Sequence, residues 1–209
     1  MINNMRVIGV TGGTGAGKGE VSLGFMSYGI KCLDADKVSR KVCKVGSPCL
    51  AELVEYFGSE ILLDDGSLDR KGLANLVFGE KNDEKRQIKH AALNRITHRH
   101  IVEAMLKWLS DVEKTGARFA VVDAPQLFES GFDRHCDYTV GVIADEDVRI
   151  RRIISRDSIS LDSAKKRIQA QKSNQFFIES CDFIVYNNAG IDAIEGQVNN
   201  ILEKINYFA

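Results

Sequence analysis

The stretch VTGGTGAGKGEV, residues 10–21, constrains this chain more tightly than any other. It is entered through RVIGVTG (6–12), a short apolar run of the kind that forms a buried parallel strand. It is left through KGEVSLGFMSYG (18–29), where Val21, Leu23, Phe25, Met26 and Tyr28 are spaced to cover one side of a helix and Gly29 to end it. Between the two, Gly12 to Gly17 and Lys18 fit the pattern G-x-x-x-x-G-K. Glycines there let backbone N–H groups turn inward around a phosphate, and the helix that follows adds its positive end. Lys18 supplies a mobile charge for β- and γ-phosphates. A glycine-rich turn without a ligand is the alternative; the strand before it and the lysine after it weigh against that.

IKCLDAD (30–36) reads as a second strand ending in two carboxylates, which predicts a β-loop-α-β unit with a right-handed crossover. Residues 37–116 read as helical, in DKVSRKVC, SPCLAELVEYFG, RKGLANLVFG and a long segment from about Asp83 to Lys114. LLDDGSLDR (62–70) breaks this block as a turn, and EILL is the one candidate strand within it. Strand patterns return at RFAVVDAP (118–125), CDYTVGVIA (136–144) and DFIVYNN (182–188). DEDVRIRRIISRD (145–157) and SLDSAKKRIQAQKS (160–173) are basic helices, and GIDAIEGQVNNILEKI (190–205) is a closing amphipathic one. About five strands interleaved with helices predict an α/β fold, a doubly wound parallel sheet. Residues 1–36 and 117–209 would form its core, and 37–116 a helical insertion.

Composition narrows the partners. A formal net charge of −1 argues against a broad nucleic-acid surface. No apolar run approaches the ~18 residues of a membrane span, and MINNM leads straight into a strand with no leader pattern. The 5 cysteines form no CxxC and sit beside apolar residues, as expected of free thiols in a reducing cytoplasm.

Four features bear on chemistry. Gly19 stands where the loop motif places a hydroxyl that ligates Mg²⁺. Either water fills that coordination position, or the metal is held from elsewhere, or activity is weakened. Glu20 reads as a first-turn helix acid, with a metal role as the alternative. Asp34 and Asp36, at the end of a strand, border the crevice of an open sheet; one can orient a metal-bound water and the other accept a proton. Both could instead cap the next helix. Asp123 closes FAVVD in the position of a carboxylate near Mg²⁺, and Arg40 could bind an acceptor phosphate.

The chain resembles the dephospho-CoA kinases, which are P-loop kinases, nearly end to end. The matching pieces are GVTGGTGAGKGEV, LDADKVSRKV followed by GSP, YFGSEILLDDGSLDRKGLANLVF, LNRITHRHI, VVDAPQLFESG, RIRRIISRD, AKKRIQAQ and CDFIVYNNAG. The resemblance implies transfer of a phosphoryl group from ATP to the 3′-hydroxyl of dephospho-CoA, with Mg²⁺. It implies that Gly13, Thr14, Gly15, Ala16, Gly17, Lys18, Gly19 and Glu20 line the ATP phosphates. Asp36 becomes the expected base, with Asp34 nearer the metal waters, a division the residues alone leave open. Arg40, His98 and Arg156 fall to the acceptor, and Asp34 and Asp123 to the metal through water. Arg149, Arg152 and Arg156 would form a lid over ATP, about 149–178, and Asn187 would border the adenine. A zinc pair from His98 and His100 is disfavoured, because no further ligand cluster is apparent. A monomer or small homo-oligomer acting on small molecules is the expected form.

The chain departs from that family at Gly19 and Glu20, where Ser or Thr and then Thr are usual. Arg99 replaces a proline, Gln126 a leucine, and Phe177 a Lys or Arg, which would remove a positive charge on the lid side. Adenylate kinases, on a related fold, also carry glycine after the lysine. Two other functions stay open: a binding protein of this fold with weak catalysis, and a kinase of another small acceptor such as a nucleoside monophosphate.

Overall fold

A computed structural model describes residues 5–189 and 191–209; the first four residues and Gly190, which carry parts of the expectations above, lie outside it. Among the described residues the strands are β1 (Arg6–Gly12), β2 (Lys31–Asp34), β3 (Phe119–Asp123), β4 (Tyr138–Ile143) and β5 (Phe183–Tyr186). The helices are α1 (Lys18–Ser27), α2 (Ala35–Val42), α3 (Pro48–Phe57), α4 (Arg70–Phe78), α5 (Asp83–Glu113), α6 (Glu146–Asp157), α7 (Leu161–Gln169), α8 (Asn174–Ser180) and α9 (Ile191–Lys204). They fall into two compact units. One takes in the described residues of Met1–Asp34 and Leu109–Ala209, the other Ala35–Trp108.

The first unit is built on a parallel sheet of order β2-β3-β1-β4-β5. β1 suits the central position because it is mostly apolar and, from Val7 to Gly12, buried on both faces. Its neighbours β3 and β4 lie on opposite sides, so the chain diverges at its C-terminal end and opens a crevice there. The loop 13–17 leaves β1 at this point. On one face Ile8 and Val10 pack with Val21 and Phe25 of α1 and with Ile194, Val198 and Leu202 of α9. On the other, Leu127 closes against Gly9 and Phe177 against Gly141.

Three expectations change here. α1 buries Val21, Ser22 and Phe25, whereas Leu23 and Met26 are 63% and 50% exposed. At 3.6 residues per turn, the stripe that reaches the sheet follows 21, 22 and 25, and the apolar residues at 23 and 26 point elsewhere. The second strand ends at Asp34, not Asp36; Asp36 lies in the first turn of α2. A short helix α8 also appears, where no helix was expected, capped by the Ser173 side chain accepting from the Phe176 N–H.

The second unit packs α2, α3, α4 and the N-terminal part of α5 around Leu53, Phe57, Ile61, Leu73, Val77, Ala92 and Ile96. Ser47 caps α3 by accepting from the Leu50 N–H, with Pro48 at its first position, and Asp69 caps α4 through the Gly72 N–H. EILL forms a 3-10 turn at Ser59–Ile61 and one antiparallel bridge, Leu62 to Leu68, instead of a strand. Cys43 and Cys49 approach to 3.4 Å between sulfurs in this core, and all five cysteines are free thiols. Among the described residues no helix is long and apolar enough to cross a membrane.

Candidate active site

The loop after β1 is shaped by its glycines. Gly17 has φ +90°, a left-handed conformation that side chains avoid, and a Cβ there would run into the Asn187 side chain. A Cβ on Gly13 would strike the guanidinium of Arg149. Helix α6 therefore lies directly on the loop. Arg149 donates through Nε to the Thr14 carbonyl (2.9 Å) and through Nη1 to Asn174 Oδ1 (3.4 Å). Arg152 donates to the carbonyls of Gly15 (3.4 Å), Ala16 (3.5 Å) and Asn187 (3.0 Å), and Arg156 to the Thr14 hydroxyl (3.4 Å). The helical spacing 149–152–156 thus places all three arginines on the face toward the loop.

Arg149 differs from the other two. It is 4% exposed, and its Nη2 has no hydrogen-bond partner among the described residues. Burial pulls its pKa down from the usual arginine value, with Glu146 partly opposing the shift. A desolvated guanidinium with an unspent N–H beside a glycine cradle is a site for an anionic oxygen. The Thr14 N–H of the same loop donates to the Gln171 Oε1 at 2.7 Å. Gln171 follows α7, and its link to Thr14 was not visible in the sequence, since 157 positions separate the two.

Asn187 sits one residue past β5 and is fully buried. Both of its amide donors are spent within the protein, on the Ala16 carbonyl (2.9 Å) and Glu20 (2.6 Å), and Arg152 donates to its Oδ1 (3.1 Å). The side chain expected to border the adenine braces the loop through these bonds. Glu20, expected as a simple first-turn acid, is part of that brace.

The carboxylates at the sheet edge come together by register. Asp34 at the end of β2 pairs directly with Asp123 at the end of β3, and Asp123 with Val10 of β1. Ser22 of α1 donates to Asp123 Oδ2 at 3.0 Å. Burial pushes the neighbouring Cys32 thiol up to about 12, and the charge of Asp123 adds to that. Lys18 donates to the Gly12 carbonyl at 3.1 Å. Gly19 is exposed, and nothing lies within 4 Å of where its Cβ would be. Among the described residues no group of three or more His, Cys, Asp or Glu could cage a metal ion. The donor set suits an ion that keeps its waters and rests on one or two carboxylates, as Mg²⁺ does.

The second unit holds the remaining candidates. Asp36 and Arg40 are both exposed and lie four residues apart on α2, hence on one face of it. His98 is half-buried on α5. His100, on the same helix, hydrogen-bonds Glu52 of α3 at 3.1 Å, and Arg99 also pairs with Glu52. Phe177 corrects an expectation: it is 4% exposed within α8 and packs on Gly141 of β4, so the residue at this position faces the core rather than phosphates.

A family model described as dephospho-CoA kinase matches residues 6–193. A dephospho-CoA kinase from Corynebacterium glutamicum is 36% identical over 198 residues, covering 95% of this chain and 96% of its own. A crystal structure of a Thermus thermophilus protein superposes with a TM-score of 0.80 at 25% identity, covering 97% of this chain and 99% of the other. Dephospho-CoA kinase from Campylobacter jejuni superposes with a TM-score of 0.67 at 25% identity, covering 95% and 96% of the two chains.

Proposed function

The chain belongs to the dephospho-CoA kinase family, and from that premise we propose how its own residues carry the reaction. It is an ATP-dependent phosphotransferase that phosphorylates dephospho-CoA to coenzyme A, the last step of CoA biosynthesis. The phosphoryl group goes to the 3′-hydroxyl.

Arg149 is the observation that carries the site assignment. Its unpartnered, buried nitrogen beside Gly13 favours a phosphate oxygen over an empty loop. The loop's other backbone N–H groups, apart from those of Thr14 and Ala16, which Gln171 and Gly13 hold, complete the phosphate cradle with the ammonium of Lys18. Arg152 and Arg156 hold α6 to the loop, and residues 149–178 serve as the lid. The core, 1–36 with 117–209, binds ATP, and the insertion 37–116 binds the acceptor.

Asp36 takes the proton of the attacking hydroxyl; its exposure at the start of α2 supports this, as does Arg40 on the same face as an anion clamp. His98 adds an acceptor contact. Asp34 and Asp123 would hold Mg²⁺ through water, since two carboxylates in direct register favour a cation between them. Mg²⁺, when bound, neutralises charge on the transferred phosphoryl group. Positioning and charge neutralisation by the protein supply the rest of the acceleration. The enzyme works in the cytoplasm, where free thiols persist, as a monomer or small homo-oligomer on small molecules and not on nucleic acid.

Arg149→Met keeps the buried stem and removes the charge. It should weaken ADP binding, read by calorimetry, by at least about tenfold, or ~1.4 kcal/mol. Unchanged affinity in a folded variant would contradict the assignment.

A further inference from the structure

Position 19 leaves the loop without its hydroxyl, and the space around it is empty. One helical step away, at i+3 on the same side of α1, Ser22 carries a hydroxyl. It is 7% exposed and donates to Asp123 Oδ2 at 3.0 Å. A buried hydroxyl that spends its donor on a carboxylate restricts the rotation of that carboxylate and fixes which lone pairs it turns outward. Asp123 is in turn paired in register with Asp34. We propose that Ser22 is a positioning residue: it orients Asp123 toward the Mg²⁺ waters and so supplies, from one turn further along α1, the order that a hydroxyl at position 19 would otherwise give.

The proposal rests on Asp123 facing the metal, so the two must be separable. The probe is Mn²⁺, titrated by electron paramagnetic resonance into the full chain with saturating ADP. Ser22→Ala removes the donor; Ser22→Cys keeps the volume and serves where the alanine variant does not fold; Asp123→Asn tests the underlying reading. Ser22→Ala and Ser22→Cys should each weaken Mn²⁺ binding about tenfold, as loss of a hydrogen bond to a metal-holding carboxylate does, while ADP binding in EDTA stays within about twofold. A merely structural role would lower ADP binding with and without metal alike. If Asp123→Asn weakens Mn²⁺ binding and both Ser22 variants bind it as the parent does, the positioning role is wrong and the metal reading stands. If Asp123→Asn changes nothing, both fall.

Discussion

Two glycines a few residues apart make opposite demands on the same loop. Gly13 has no room for a methyl group, because the Arg149 guanidinium already occupies the space. Gly13→Ala must push that guanidinium off the loop and should weaken ADP binding at least about tenfold, a cost of ~1.4 kcal/mol measurable by calorimetry. Gly19 is open to solvent in the first turn of α1. Gly19→Ser should leave the fold intact and raise stability by about 0.5 kcal/mol through helix propensity alone, read as a small rise in melting temperature. Motif spacing made Gly12, Gly17 and Lys18 legible at once, since their chemistry is local, and the family resemblance added Gly13. Ser22, Gln171 and the brace on Asn187 were not legible, because each acquires meaning from a partner more than 100 positions away.

Elements were legible where one period dominated. The strands at 6–12, 118–125, 136–144 and 182–188 and the long helix from Asp83 all stood out by pattern. Boundaries shifted where a polar residue served two elements. Asp34 and Asp36 looked like one strand end, yet the helix takes over at Ala35 and assigns them to different elements. α8 escaped notice because its burial depends on the sheet beneath it, and this changes the meaning of Phe177. Phe177→Lys, which family resemblance alone would suggest as a gain of charge at the lid, buries an ammonium against β4. It should cost at least about 3 kcal/mol in a urea titration and raise no activity above that of the parent. Asn187→Ala strips partners from Glu20, Arg152 and the Ala16 carbonyl together, and should cost about 2–3 kcal/mol in the same titration.

On the scale of the molecule, the sheet order puts the phosphate loop, the paired carboxylates of β2 and β3, and the arginines of α6 into one unit. α2, with Asp36 and Arg40, opens the other. Alternating strand and helix patterns were enough to foresee the parallel sheet, because burial of the three central strands on both faces leaves few other packings. Phosphate transfer should therefore proceed without a hydroxyl at position 19. The decisive experiment incubates purified protein with ATP, Mg²⁺ and dephospho-CoA and separates both nucleotides by chromatography. CoA and ADP should form in equal amounts, with the new phosphate on the 3′-oxygen. A preparation that binds both ligands and forms neither product, or that phosphorylates a nucleoside monophosphate in preference, would contradict this expectation.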